Sequence, residues 1–362
     1  MLSEKVRKNL EKQQYRIVGN HSAVKICCWT KNMLRKEGGC YKLKFYGILS
    51  NKCMQVTTSF SCANRCIFCW RDYKAPALNR WKGGYDSPSF IIDESLKQHH
   101  KLLSGFGGNQ KVKRLDYEFS KDVKHVALSL TGEPILYPKI NQLIGLLNKK
   151  GISTFLVTNA QYPEKIKRLA PVTQLYLSLD APNSFLLKKI DVPLFNDYNE
   201  RLIKSLKYFS KKQQRKCIRI TLIKGVNDIE PQNYAKLIKK GDPDFIEVKS
   251  YMHVGTSIQK LKFQNMPSHN DVVNFSRKLV KFLPDYKIVT DYIPSKAVLI
   301  AKKTLNKNKK WFTWIDFEKY NKLVNSGGDF TIYDYLKENS VTGLSSKKER
   351  DAFAKKIGVK KW

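Results

Sequence analysis

Seven short apolar runs, each closing on polar residues, recur between residues 54 and 292. They are MQVTTSF (54–60), HVALSLT (125–131), STFLVTN (153–159), QLYLSLD (174–180), IRITLIK (218–224), FIEVKSY (245–251) and KIVTDY (287–292). Runs this short and continuously apolar suit strands covered on both faces, the condition of a parallel sheet. Stretches 139–150, 194–212, 231–241 and 268–283 between them carry helical periodicity. Parallel strands joined by helices leave two architectures, a doubly wound sheet and a full or partial barrel. Both gather their chemistry at the C-terminal edge of the strands. This chain places Thr158, Asn159, Ser178, Asp180, Arg219, Thr221, Glu247 and Lys249 at those strand ends.

The array is flanked by a basic, cysteine-bearing leader of residues 1–56 and a Lys-rich extension of residues 303–362, leaving 57–302 as the barrel or sheet proper. A length of 362 residues and a 42% hydrophobic content allow one large core. No apolar stretch approaches the roughly 18–20 residues that span a bilayer. The N-terminus lacks the apolar centre of a signal peptide, so a cytoplasmic location and no membrane association are expected. Sixty-seven Lys and Arg against 31 Asp and Glu give a net charge of +36. Self-repulsion of that size points to a polyanionic partner, and nucleic acid is the expected one.

Seven of the eight cysteines fall within 43 residues, at positions 27, 28, 40, 53, 62, 66 and 69. Without a secretion signal such clustering favours metal ligation over disulfides. The segment SFSCANRCIFCW holds Cys62, Cys66 and Cys69 in a C-x3-C-x2-C pattern immediately after the first run. Three thiolates on one loop can each ligate a different iron of a [4Fe–4S] cubane and leave the fourth open. This loop resembles that of the radical S-adenosylmethionine (SAM) enzymes, in which the amino and carboxylate groups of SAM chelate the open iron. An electron from the cluster then breaks a carbon–sulfur bond and releases a deoxyadenosyl radical. The competing reading is a zinc site completed by a distant Cys or His. Phe68 stands where these enzymes carry an aromatic residue near the adenine, and Gly132-Glu133-Pro134 resembles their GGEP turn, which receives the SAM amino group. Thr131 replaces its first glycine. Asn159, Ser178 and Asp180 complete the expected cofactor-binding set.

The remaining leader cysteines, Cys27, Cys40 and Cys53, are spaced by 13 residues each time, with Cys28 a spare neighbour. Three further thiolates invite a second cluster. The chain resembles the tRNA 4-demethylwyosine synthases through SAVKICCWT, GGCYKLKFYGI, CANRCIFCWRD, LSLTGEPILYP, LYLSLDAP, DFIEVKSY and WFTWIDFEKY. That resemblance implies an α/β fold, a partial (β/α)6 TIM-like barrel of the radical SAM type with N- and C-terminal extensions. It implies two [4Fe–4S] clusters, the second on Cys27, Cys40 and Cys53, with Cys28 an alternative to Cys27. It implies 1-methylguanosine beside the anticodon of phenylalanine tRNA as substrate and pyruvate as the two-carbon donor. Pyruvate is held either on the open iron of the leader cluster or as a Schiff base, for which Lys42 matches the family's lysine. Eukaryotic relatives carry a flavin-binding domain that is not legible here, so a separate electron-donor protein is expected. The alternatives are a radical SAM enzyme acting on another RNA base, and a non-catalytic, zinc-stabilised RNA-binding protein.

Overall fold

The computed structural model describes residues 4–71 and 76–349. The last 13 residues of the basic extension lie outside the described residues. A ten-stranded sheet runs in the spatial order β1-β2-β3-β4-β5-β6-β7-β8-β10-β9. Its strands are β1 (Arg16–Val18), β2 (Ser22–Lys25), β3 (Cys53–Thr57), β4 (His125–Leu128), β5 (Ser153–Thr158), β6 (Gln174–Ser178), β7 (Arg215–Leu222), β8 (Phe245–Ser250), β9 (Tyr286–Tyr292) and β10 (Ala297–Lys302). Strands β3 to β8 pair in parallel, each with the next, and form the barrel wall. Antiparallel β1 and β2 extend it beside β3, while β10 is antiparallel to both β8 and β9. Among the described residues β1 and β9 end the sheet, with β9 met on its outer side only by a bridge from Thr290 to Gly343.

All seven apolar runs of the sequence fall on β3 to β9. The run at 287–292 does not extend the parallel series directly, because β10 folds back between it and β8. The leader contributes β1, β2 and the first residues of β3 to this same sheet.

Among the described residues the α-helices are α1 (Glu4–Lys12), α2 (Cys28–Leu34), α3 (Tyr41–Tyr46), α4 (Pro88–Leu103), α5 (Arg114–Lys121), α6 (Ile140–Lys149), α7 (Pro163–Lys167), α8 (Ser184–Asp191), α9 (Tyr198–Ser210), α10 (Pro231–Gly241), α11 (His269–Val280) and α12 (Phe317–Ser326). Their starts follow local chemistry. Ser87 caps α4 ahead of Pro88, Asn183 caps α8, and Ser268 with Asp271 forms a capping box on α11.

Period-2 alternation separates two apolar layers. Leu156, Leu175, Leu177, Ile218, Ile220, Ile246 and Val248 face outward into the cluster that packs the helices. Phe155, Tyr176, Cys217 and Phe245 face inward and meet Tyr41, Phe45 and Tyr46 of α3 together with Trp311, Ile315, Tyr320 and Tyr335 of the C-terminal extension. The barrel interior is therefore filled by two segments remote in sequence from its wall. Its floor is sealed by Arg215, which is fully buried. The Arg215 guanidinium donates to Gln174 Oε1 (3.0 Å) and to the Thr313 carbonyl (2.7 Å), and its backbone N–H to Tyr335 Oη (3.0 Å).

Candidate active site

The loop after β3 carries Cys62, Cys66 and Cys69 and is tied down from three directions. The buried Arg71 guanidinium donates to the carbonyls of Phe60 and Asn64, both at 3.2 Å. The N–H groups of Arg65 and Ile67 donate to the Asp191 and Ile190 carbonyls at the end of α8 (2.9 and 2.8 Å). Thr256 Oγ1, beyond β8, donates to the carbonyls of Cys69 and Arg71. Gly255 (φ +63°) permits this approach, since a Cβ there would lie 2.2 Å from the Trp70 carbonyl.

The three thiols lie within electrostatic reach of one another. Burial pushes Cys62 up to about 12, with Cys69 adding to the shift, and Cys66 is raised by burial and then by Asp191, Cys69 and Cys62. Cys69 is raised by burial too, against the pull of Arg71. Burial thus works against the thiolate form, and a positively charged iron bound to the trio would favour it.

The Gly132–Glu133 turn touches this loop directly. Gly132 has φ +66°, and a Cβ on it would lie 1.9 Å from the Ser59 carbonyl, so only glycine fits. The Glu133 N–H donates to the Ser61 carbonyl (2.8 Å), while Glu133 Oε2 accepts the Asn159 N–H (2.8 Å). Asn159 Nδ2 in turn donates to Cys62 Sγ at 3.4 Å. Glu133 is buried, and its Oε1 has no hydrogen-bond partner among the described residues. Burial pushes its carboxyl up to about 7. A buried acceptor without a donor, beside a trio of thiols, is the arrangement a cationic amino group would complete. The residues therefore fit SAM.

Asp180 is buried near the same loop and raised well above the carboxylate range by burial and then by Asp191. Ser178 is half-buried at the end of β6, paired in register with Arg219. Phe68 is half-buried against the outer core. Asp191 carried no sequence signal, although its Oδ2 accepts Asn64 Nδ2 (3.1 Å) and its carboxyl bonds the Cys66 thiol. Arg71 and Thr256 were equally unmarked. Only the position of Arg71, two residues past Cys69, could have drawn notice.

The leader cysteines also converge. Cys27 precedes α2, Cys40 precedes α3, and Cys53 opens β3. Cys27 is raised by its hydrogen bond with Cys28, then by burial and by Cys40; burial pushes Cys53 up to about 11, with Cys40 adding to it. Cys28 is exposed and held down to about 6 by the same Cys27 hydrogen bond. Lys42 points into the barrel, its Nζ 4.9 Å from the Tyr176 ring and 5.5 Å from the Phe155 ring, and its charge acts on both Cys40 and Cys53. Lys249 acts on Cys28 and Cys40 from β8 and is itself lowered by burial and then by Arg219.

Beneath them, Tyr41 Oη (3.1 Å) and Tyr46 Oη (2.8 Å) donate to the two oxygens of buried Glu247, which is ion-paired with Arg219 at 3.0 Å. No three Cys, His, Asp or Glu side chains among the described residues close on a point suited to a single ion. A cubane assigns one thiolate to each iron, so its ligands stand further apart than those of one tetrahedral zinc.

Residues 56–238 match the family described as the radical SAM superfamily, and residues 240–302 match that described as wyosine base formation. Two solved structures align over nearly their whole length. One, described as TYW1 with a lysine–pyruvate adduct bound, is 35% identical with a TM-score of 0.76, and the alignment covers 84% of this chain and 97% of that one. The other, an archaeal TYW1, is 30% identical with a TM-score of 0.70, covering 85% and 99%. The chain belongs to the tRNA 4-demethylwyosine synthase family.

Members of that family from Mus musculus and Saccharomyces cerevisiae, both SAM-dependent tRNA 4-demethylwyosine synthases, are 46% identical over 357 residues and 42% identical over 340 residues. These alignments cover 97% and 91% of this chain but 50% and 42% of the relatives, so the chain spans about half the length of the curated relatives it matches. As in the two solved TYW1 structures, the fold is the partial barrel of the radical SAM type with extensions at both ends. The family implies SAM and a [4Fe–4S] cluster. The zinc-stabilised, non-catalytic alternative finds no support in it.

Proposed function

We propose that this chain is a radical SAM tRNA-modifying enzyme that builds the tricyclic 4-demethylwyosine base from 1-methylguanosine beside the anticodon of phenylalanine tRNA, with pyruvate as the two-carbon donor. The observation that carries the reading is Lys42. It lies inside the barrel beside Cys40 and Cys53, and a 35%-identical relative holds a lysine–pyruvate adduct.

The site divides into two halves. Cys62, Cys66 and Cys69 would hold the SAM-binding cluster, with Glu133 Oε1 receiving the SAM amino group. Gly132 keeps the turn against the loop, Asn159 fixes both Glu133 and Cys62, and Phe68, Ser178 and Asp180 line the rest of the cofactor. When bound, this pair supplies a primary carbon radical able to take hydrogen from an N-methyl group. Cys27, Cys40 and Cys53 would hold a second [4Fe–4S] cluster, and Lys42, presenting its amine to the interior, would bind pyruvate as a Schiff base. We assign residues 1–56 to the cluster-bearing leader, 57–302 to the barrel and 303–362 to a basic extension toward tRNA. A separate electron-donor protein and a cytoplasmic setting complete the reading. Among the described residues no helix is long and apolar enough to cross a membrane.

The test is anaerobic incubation with SAM, reductant, pyruvate and tRNA carrying 1-methylguanosine, followed by nucleoside mass analysis. The tricyclic base is expected. Deoxyadenosine release with 1-methylguanosine intact would overturn the substrate assignment and leave a radical SAM enzyme acting on another RNA base.

A further inference from the structure

A cavity of about 370 Å³ adjoins the cluster loop without including Glu133, Asn159 or Asp180 in its lining. Its wall is formed by Ser59 and Phe60 of that loop, His21 of the β1–β2 turn, and Trp81, Lys82 and Gly84 of the segment leading to α4. The wall is built and braced. His21 Nδ1 donates to the Thr58 carbonyl (2.9 Å), and His21 Nε2 accepts the Asp86 N–H (3.0 Å). The Asp86 carboxylate accepts both the backbone N–H (2.8 Å) and the Nδ2 (2.9 Å) of Asn20. Trp81 stands edge-on to His21 with ring centroids 4.7 Å apart, and its indole N–H donates to the Gly83 carbonyl (3.0 Å).

Two observations say that this space is kept for a ligand. A Cβ built on Gly83 or Gly84 would meet no atom within 4 Å. Gly83 takes φ +84°, where glycine is favoured for its backbone, but Gly84 has no positive φ and no packing contact that requires it, and its lack of a side chain leaves the cavity rim open. At the same place Lys82 is exposed and has no ion-pair partner among the described residues. The half-buried Trp81 beside His21 in a cavity of this size, with one cation at the rim, matches a flat heterocycle that carries a phosphate.

We propose that the cavity receives one unpaired nucleobase of the substrate RNA, a neighbour of the base being modified, packed against Trp81 with its phosphate on Lys82. The proposal rests on the RNA-modifying reading and deepens it, since a base seated against Ser59 and Phe60 would register the RNA on the loop that carries Cys62.

The decisive variant is Gly84→Leu, which fills the cavity from a backbone without positive φ and into open space. Circular dichroism and iron content report whether it folds. Its affinity for an anticodon stem-loop should fall roughly 5- to 150-fold, the worth of one stacked base. Lys82→Ala should lower the slope of log affinity against log salt by about one. Removing the base at one of the two positions flanking the target should cost the wild type as much as Gly84→Leu does, and the two changes should not add. Wild-type binding with Gly84→Leu unaffected, or full additivity with both abasic loops, would overturn the cavity's assignment alone. A wild type indifferent to RNA would overturn the RNA reading and this assignment with it.

Discussion

Glu133 shows how one side chain ties burial to a pH dependence. Its carboxyl, pushed up to about 7 by burial, is largely protonated in mildly acidic solution. A cationic amino group binds the carboxylate form, so below pH 7 part of the binding free energy goes into removing that proton. SAM affinity should therefore weaken about tenfold per pH unit below 7 and level off above it. In Glu133→Gln it should be low and flat, as equilibrium dialysis across this range would show. The sign for stability is opposite. A carboxyl whose folded pKa is raised favours the ligand-free fold at low pH and loses that contribution as pH climbs from about 4.5 to about 7. Lys42 makes the second prediction at this scale. Borohydride in the presence of labelled pyruvate should trap label on the wild type, while Lys42→Arg should trap none and still cleave SAM. Label retained in Lys42→Arg would move the role to another amine, for which Lys249 is the candidate because its charge also acts on Cys40.

At the level of elements, the two thiol trios should be separable. Reconstituted protein is expected to hold close to eight irons per chain, the sum of two cubanes. Alanine at Cys27, Cys40 or Cys53 should lower that to about four and leave uncoupled deoxyadenosine formation, whereas alanine at Cys62, Cys66 or Cys69 should abolish it. Helix α3 supplies another test. Tyr46→Phe removes the phenol donor to one oxygen of fully buried Glu247 and should cost about 1–3 kcal/mol in urea unfolding. The barrel strands were legible in sequence because β3 to β9 are apolar runs with polar ends. Strands β1 and β2 were not, at three and four residues, and β10 was not because its pairing is fixed by a hairpin rather than a crossover. The contiguous part of the site, Cys62 to Cys69 and Gly132 to Glu133, was readable for the same local reason. The Tyr41–Tyr46–Glu247–Arg219 network joins residues about 200 positions apart, and no periodicity reports that.

For the molecule as a whole, charge is the dominant property. Its +36 has no internal explanation, since the described ion pairs are mostly exposed and of small energetic weight. Binding of tRNA should consequently be steeply salt-dependent, losing roughly a thousandfold or more between 50 and 200 mM salt if six or more phosphates are engaged. Filter binding or fluorescence titration would measure it, and a flat response would remove the electrostatic argument. The leader and the 302–310 stretch are expected to contribute most.

The sealed floor has a consequence for timing. With Arg215, Tyr335 and Phe245 wholly buried and α3 packed into the interior, the described residues close the end of the barrel away from the strand C-termini, so the C-terminal edge is the natural approach to Lys42. A macromolecule settling over that edge covers it. On the function proposed here, a small keto acid that enters by that edge would have to be inside before the tRNA settles over it. Sequence of arrival, rather than affinity alone, would then decide whether a turnover completes.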